Sequence, residues 1–293
     1  MAITGTGTQA DPFIITTYDE LVEKAATASE VFIKVGNDIN IAEEYPLGDM
    51  PPLIITHARI DGDGKTISNW YSTGSADLIQ ITGSSSDTTR NPQIKNLNFF
   101  NILTMNGIFI SPKYGTGAGI GMFKSCNFQG ECYNKFSNSV SYNSGTRDHF
   151  IGCSINIDNH ASSFAYYTAF EKCRIIVKTS GAQLFTGDID NYLRDCYITA
   201  TMTNSSAKFN SSEAATNNCI LDVYTSSSNF EKAGKATTSY PISIINSAHA
   251  PAAVEYTGNL YAVSAEHWHD APYLQNLGFL CTASANNGVG GGS

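Results

Sequence analysis

Carboxylates recur at short intervals in the middle of this chain. Asp188 and Asp190 stand two residues apart in ThrGlyAspIleAspAsn, and three further acids precede them: Asp148, Asp158 and Glu171. Glycosidases use two carboxyl groups, roughly 5 to 5.5 Å apart in retaining enzymes and roughly 6.5 to 9.5 Å apart in inverting ones. Side-chain alternation would direct Asp188 and Asp190 to the same side of a strand, whereas AspIleAspAsn after Gly is typical of a solvated turn. The pattern permits polysaccharide cleavage but favours the turn.

Tyrosines are concentrated in the same part of the chain. They are Tyr166, Tyr167, Tyr192, Tyr197 and Tyr224. A tyrosine ring has a large apolar body and a polar tip, so it is suited to stacking on sugars and to protein interfaces. These residues are therefore candidate binding residues, and the sequence leaves a glycan and a protein partner both open.

Metal-binding patterns are weak in this sequence. AspGlyAspGlyLys from Asp61 contains loop carboxylates, but Lys65 occupies a position where a calcium loop needs an oxygen ligand, and Ser72 stands at the closing Glu position. A tight turn is the better interpretation. HisTrpHis from His267 would direct its two imidazoles to different sides of a helix, and no CysXxxXxxCys motif occurs. We therefore expect neither a metal nor a cofactor.

The elements that would position these residues are indicated by a repeat. Six segments share an apolar residue, two mostly polar residues, an anchor that is Cys or Leu, a variable residue and usually another apolar residue. The anchors are Leu97, Cys126, Cys153, Cys173, Cys196 and Cys219. Their spacing of roughly 20 to 30 residues predicts an all-β solenoid. Stacked coils would bury a column of reduced thiols beside Phe, Ile and Leu, whereas Cys132 and Cys281 lie off this column.

The repeat also predicts which charged residues lie next to each other. Alignment on Cys173 and Cys196 places Glu171 beside Arg194 and Lys172 beside Asp195 in adjacent coils. Such exposed opposite-charge pairs mainly favour the correct register of the coils.

Composition restricts the partners. The chain has 293 residues, is 15% charged and carries a net charge of -9, which disfavours nucleic acid. It contains no apolar run of the roughly 18 to 20 residues that a membrane helix needs, so we expect no membrane contact. The N-terminus MetAlaIleThrGlyThrGlyThr lacks the basic and apolar regions of a signal peptide, which predicts synthesis in the cytoplasm.

The chain is predicted to form one elongated domain closed by helical caps at both ends. Residues 1–30 contain a short strand at Phe13 and a helix over 17–28 that forms an N-terminal cap, and 31–263 form the solenoid. Residues 264–281 are predicted to form the C-terminal cap, followed by a flexible Gly-rich tail over 282–293.

Four motifs together resemble a known group of proteins. They are GlyThrGlyThrGlnAlaAspProPheIleIleThrThrTyrAspGluLeu from Gly5, ArgIleAspGlyAspGlyLysThrIleSerAsn from Arg59, the PheXxxXxxCysXxxIle coils, and AlaGluHisTrpHisAspAlaProTyrLeuGlnAsnLeuGlyPhe from Ala265. Over nearly all of its length the chain resembles right-handed parallel β-helix proteins of the pectate-lyase-like superfamily, in particular those of bacteriophages and prophages. The resemblance implies the fold strongly and the function weakly, since this architecture serves lyases, hydrolases, tailspikes and inert virion proteins.

The expected function is that of a non-enzymatic virion protein. The resemblance implies a capsid decoration or head-fibre component, made in the host cytoplasm and located in the virion, whose partners are capsid or fibre-attachment proteins. A homotrimer and a monomer are both compatible with it. The alternatives are a tailspike-type polysaccharide depolymerase or a receptor-binding protein for a host glycan, with the five acids named above as its catalytic candidates.

Overall fold

The structure is a computed structural model in which two compact units are distinguished, Met1–His149 and Phe150–Ser293. It describes residues 3–46, 50–82, 93–112, 122–138, 148–166, 168–186, 192–194, 196–204, 208–210, 215–217, 219–225, 242–246 and 255–256. The predicted C-terminal cap, the predicted tail and Cys281 lie outside these residues. Each unit is a parallel β-helix, which confirms the predicted all-β solenoid.

Two helices and thirteen strands form the described part of the first unit. The helices are α1 (Tyr18–Ala25) and α2 (Ile41–Glu44). The strands are β1 (Phe13–Ile15), β2 (Val31–Val35), β3 (Ile39–Asn40), β4 (Leu53–Ile55), β5 (Ala58–Asp61), β6 (Thr66–Ser72), β7 (Ile79–Ile81), β8 (Gln93–Lys95), β9 (Asn98–Thr104), β10 (Ile110–Pro112), β11 (Met122–Lys124), β12 (Asn127–Cys132) and β13 (Ser137–Asn138).

These strands stack into three parallel sheets, to which each full coil contributes one strand apiece. The first sheet has the order β1-β2-β5-β8-β11, the second β3-β6-β9-β12 and the third β4-β7-β10-β13. In the first sheet the register stacks Ile33 on Ile60, Ile60 on Ile94 and Ile94 on Phe123. All four side chains are buried, and full burial of an aliphatic or aromatic side chain contributes about 1.5 to 3 kcal/mol. The core therefore consists of columns that run from coil to coil.

Helix α1 closes one end of the core. The Thr17 hydroxyl accepts a hydrogen bond from the Glu20 backbone N–H, and the Glu20 carboxylate accepts one from the Thr17 N–H, which forms a capping box. Leu21 and Ala25 are buried, whereas Val22 is only half-buried. Tyr18 is the third buried residue, and its ring packs edge-on against Trp70 with 5.6 Å between centroids.

The second unit repeats the same three-stranded coil. Strand β14 (Asp148–Ile151) begins just before the boundary and is described with this unit. The strands that follow are β15 (Ser154–Asn159), β16 (Ala165–Tyr166), β17 (Thr168–Glu171), β18 (Arg174–Thr179), β19 (Gln183–Thr186), β20 (Tyr192–Arg194), β21 (Tyr197–Met202), β22 (Lys208–Asn210), β23 (Ala215–Asn217), β24 (Cys219–Thr225), β25 (Ile242–Asn246) and β26 (Glu255–Tyr256).

These strands stack in the orders β14-β17-β20-β23, β15-β18-β21-β24-β25-β26 and β16-β19-β22. Pairing is parallel in the described registers except between β25 and β26, which are antiparallel. The register places Glu171 beside Arg194, which confirms that predicted pair of positions. The predicted partner of Lys172, Asp195, lies outside the described residues.

The repeat anchors lie where the chain turns from one strand into the next. The residue before the anchor has a positive φ at Asn96 (52°), Ser125 (53°), Gly152 (65°) and Lys172 (53°), so each coil bends sharply there. The next residue points inward. Leu97, Cys126, Cys153, Cys173 and Cys196 are all buried, and the four cysteines are free thiols. This confirms the predicted burial of the thiols at these positions, while the Cys219 side chain lies outside the described part.

Candidate binding groove

The structure separates the predicted acids that it describes. Asp158 lies on β15 and Glu171 on β17, strands that belong to different sheets. The Asp158 carboxylate binds the Lys178 ammonium at 2.8 Å, and Nε2 of His160 lies 3.6 Å away. Asp188 and Asp190 lie outside the described residues, and so does the side chain of Asp148. The described part therefore brings no two of these acids together.

The predicted tyrosines are distributed over three sheets. Tyr166 lies on β16, Tyr192 on β20, and Tyr197 and Tyr224 on β21 and β24. The Arg174 guanidinium lies over the Tyr197 ring, 5.8 Å from its centroid. Tyr167 lies outside the described residues, as do the side chains of Tyr192 and Tyr224. A binding role for these five residues stays a prediction.

The described part of the first unit contains a groove of about 930 Å³ on the outer side of the first sheet. Alternation along β2, β5, β8 and β11 buries Ile33, Ile60, Ile94 and Phe123, so the residues that follow them point outward. The register then places Lys34 beside Asp61, Asp61 beside Lys95, and Lys95 beside Lys124. Adjacent coils are about 4.8 Å apart. The floor of the groove is therefore a column of charged residues, one for each coil.

The N-terminal loop forms one wall of the groove, to which it contributes Gln9 and Pro12. The carbonyl of Gly7 accepts a hydrogen bond of 2.9 Å from the Phe32 N–H, which fixes the loop against β2. Gly7 has a φ of 77°, and a Cβ at this position would lie 2.8 Å from Cζ of Phe13. A side chain is therefore excluded on two grounds, which explains Gly7 in the GlyThrGlyThr motif.

Asp61 is the centre of the polar contacts on the floor. Its carboxylate binds the Lys95 ammonium at 2.9 Å and accepts hydrogen bonds from the Asp63 N–H at 3.0 Å and from Nδ2 of Asn96 at 3.1 Å. Partial burial alone would raise the pKa of Asp61, but these hydrogen bonds and the charge of Lys95 together hold its pKa below the usual value. Asp61 is therefore ionised at neutral pH.

The other described carboxylates at the groove are also paired. Glu30 binds Nε of Arg59 at 3.1 Å, and Asp63 binds the Lys34 ammonium at 2.9 Å. The lining contains four cationic side chains, Lys34, Arg59, Lys95 and Lys124. They face three carboxylates: Glu30 and Asp61 of the lining, and Asp63 beside it. The groove is thus locally cationic in a chain whose net charge is -9.

Lys124 is the one cation of the groove lining that takes part in none of these ion pairs. Its side chain is exposed at the end of β11, beside Lys95 in register. Its ammonium has no ion pair within the ranges that the structure describes, whereas Lys34, Arg59 and Lys95 each have one. Lys124 is therefore available to an anion that enters the groove.

The segment Asp61–Lys65 is a tight turn, as the sequence predicts. Asp63 and Gly64 have positive φ values of 51° and 78°, and the Lys65 N–H donates to the carbonyl of Gly62 at 2.8 Å. The Asp61 carboxylate is occupied by the three donors described above. A search of the described residues finds no group of three or more His, Cys, Asp or Glu side chains arranged to hold a metal ion.

This column of charges was not predicted from the sequence, although a signal for it was present. Alternation already predicts that Lys34 points away from the core, and alignment of Ile60, Ile94 and Phe123 puts Asp61, Lys95 and Lys124 in one column. Charge pairs were predicted only for the coils around Cys173 and Cys196. The wall could not be predicted in this way because it depends on the path of the N-terminal loop.

Together the fold and the groove define a class: a parallel β-helix with a charged groove on the outer side of one sheet. No protein-family model matches the chain, and no curated protein sequence matches it. Among solved structures, the chain is similar to a "putative immunoglobulin A1 protease" from Bacteroides ovatus, with a TM-score of 0.48 and 15% sequence identity. That similarity covers 94% of this chain and 91% of the other. Neither of the two described helices is long and apolar enough to span a membrane.

Proposed function

We propose that this protein is a non-enzymatic structural component of a bacteriophage virion. In this proposal it is a capsid decoration or head-fibre component whose outer surface binds other virion proteins. The assignment to phages rests on the motifs from Gly5, Arg59 and Ala265 and on the PheXxxXxxCysXxxIle coils.

The observation that carries the non-enzymatic part of the proposal is the pairing of the groove carboxylates. A general acid needs a pKa raised towards the working pH, which burial or a neighbouring carboxylate can provide. Asp61 has the opposite environment, since its pKa is lowered and its oxygens are occupied. Outside the groove, Asp158 is likewise bound to Lys178. Ion-paired carboxylates of this kind suit a rigid binding surface better than proton transfer.

A second candidate is a receptor-binding protein for a host glycan, with or without depolymerase activity. The groove favours it in one respect, because its volume of about 930 Å³ lies within the range of roughly 300 to 1,000 Å³ typical of ligand sites. Cationic side chains would also suit an acidic sugar.

Localisation of the protein in purified phage particles tests the proposal. We expect mass spectrometry to detect the chain in particles and gold-labelled antibodies to bind the heads. Particles that lack the protein should still assemble and adsorb to the host. Label at the tail tip, with loss of adsorption in the deletion, would favour the receptor-binding candidate. Absence of the chain from particles would refute both.

A further inference from the structure

We infer that the groove on the first sheet binds an acidic peptide segment of a partner protein, with a carboxylate of that segment beside Lys124. The inference rests on the proposed function, because it takes the partner to be another protein. It specifies which surface of the first unit makes the contact and which charge the partner must carry.

The charge distribution supplies the first argument. The whole chain has 17 Lys and Arg residues against 26 Asp and Glu residues, yet four of those cations line this one groove. A locally positive groove on an acidic protein concentrates anionic segments.

Lys124 supplies the second argument. Lys34, Arg59 and Lys95 are neutralised by Asp63, Glu30 and Asp61, so these pairs fix the shape of the floor. Lys124 lies next to the Lys95–Asp61 pair and has no ion pair among the described side chains. A carboxylate placed there gains a cation without breaking an existing pair.

Backbone pairing supplies the third argument. The strands β2, β5 and β8 each have a hydrogen-bonded neighbour on both sides, so the floor offers no free strand edge for an added peptide strand. Recognition must therefore use side chains, which makes charge the determinant of the partner.

The test measures the affinity of the full-length protein for a fluorescent peptide of alternating Glu and Ser, by fluorescence anisotropy at low and at physiological salt. The matched control peptide contains Gln in place of Glu. We expect binding of the Glu peptide alone, weakened by salt because exposed charges are screened. Lys124→Gln should weaken it about tenfold, which is the size of one charge-assisted contact.

Charge-matched variants separate the groove from net charge. Asp61→Asn should strengthen binding because it releases Lys95, whereas Asp158→Asn makes the same change in net charge in the other unit and should have no effect. Likewise Lys178→Gln, outside the groove, should leave the affinity unchanged. The inference would be overturned if Asp61→Asn and Asp158→Asn changed the affinity equally, or if Lys124→Gln and Lys178→Gln did. Binding of the Gln peptide as tightly as the Glu peptide would also overturn it.

The same measurement is made with polygalacturonate in place of the peptide, at an equal concentration of carboxylate groups. Tighter binding of this polysaccharide than of the peptide, with the same dependence on Lys124, would overturn the peptide assignment in favour of a glycan. The proposed function is tested separately, by the localisation of the protein in purified phage particles. If the protein is found on phage heads but does not bind the Glu peptide, this inference is disproved and the proposed function is not.

Discussion

The thiol of Cys173 donates a hydrogen bond to the carbonyl oxygen of Phe150 in the preceding coil, at 3.1 Å. Cys196 repeats this contact with the carbonyl of Phe170 at 3.3 Å. In both cases the acceptor is the first residue of the preceding repeat, so the thiol links equivalent corners of neighbouring coils. A thiol is a small apolar group with a weak donor, so it can be buried in the core and still contact a backbone carbonyl of the preceding coil.

The core thiols should be inert in the folded protein. Burial raises the pKa of Cys132 to about 12 and the pKa of Cys173 well above its usual value, so little thiolate exists at pH 8. We expect maleimide to modify Cys126, Cys132, Cys153, Cys173 and Cys196 only after unfolding in urea. Peptide mapping by mass spectrometry identifies each modified site. Labelling of these five at the same rate in buffer and in urea would contradict their burial.

The corner at Gly62 should not tolerate a side chain. A Cβ there would meet the carbonyl oxygen of Asn96 and lie 2.6 Å from the Cβ of Leu97. We expect Gly62→Ala to lower the free energy of unfolding by about 1 to 3 kcal/mol, the usual cost of overpacking. The matched control is Gly74→Ala, whose Cβ would lie 3.9 Å from the nearest atom. Urea titrations followed by tryptophan fluorescence, to which buried Trp70 contributes, compare the two. Similar losses in both variants would contradict the packing at this corner.

An asparagine ladder should stabilise the outer side of the second sheet. Nδ2 of Asn69 donates to Oδ1 of Asn40 at 2.7 Å, and Nδ2 of Asn101 donates to Oδ1 of Asn69. Asn69 also has a φ of 62°. Asn69→Gly removes the ladder contacts and keeps the positive φ accessible, and it should cost about 1 to 2 kcal/mol, part of which comes from the greater freedom of Gly in the unfolded chain. Asn69→Ala should cost about 1 kcal/mol more because of the positive φ. If the Gly variant were as stable as the parent in urea titration, the ladder would contribute nothing.

Asp61 should make part of the stability of the first unit dependent on pH. Because its pKa is lower in the folded state than the ordinary value of 3.8, its contribution is complete above that value and is lost as the pH falls through the folded pKa. The pair with Lys95 is partly exposed, so the contribution is about 0.2 to 1 kcal/mol. We expect Asp61→Asn to be less stable than the parent at pH 7 and to approach it at pH 2 to 3. A constant difference between pH 7 and pH 2 would count against this role.

The coil architecture was predictable because its cause is local and repeated. Each coil repeats an apolar residue, a corner and an anchor. The period of this repeat in the sequence therefore indicates the solenoid fold. The inward positions of Cys126 and Cys173 were predictable because each lies on the same side as the apolar residue two places on, Phe128 and Ile175. The residues that close the end of the solenoid were less predictable. Tyr18 is buried and Val22 is only half-buried, and the Tyr18 ring packs against Trp70, which is far away in the sequence.

The site was less predictable because it depends on register between distant parts of the chain. Lys34 and Lys124 are 90 positions apart in the sequence and share one column only through three strand pairings. The acids from Asp148 to Asp190 were catalytic candidates because they are close together in the sequence. Asp158 and Glu171 nevertheless lie on different sheets. Proximity along a solenoid chain therefore indicates neighbours poorly unless the coils are first aligned.

A product-release assay tests the proposal that this protein binds its partner and cleaves no polysaccharide. Purified full-length protein is incubated with host capsule or lipopolysaccharide, and reducing ends and unsaturated sugars are measured over time. We expect no release above that of heat-denatured protein. Release that persists in the purified protein and is abolished by Asp158→Asn or Asp188→Asn, with the circular dichroism spectrum unchanged, would contradict it and identify a depolymerase.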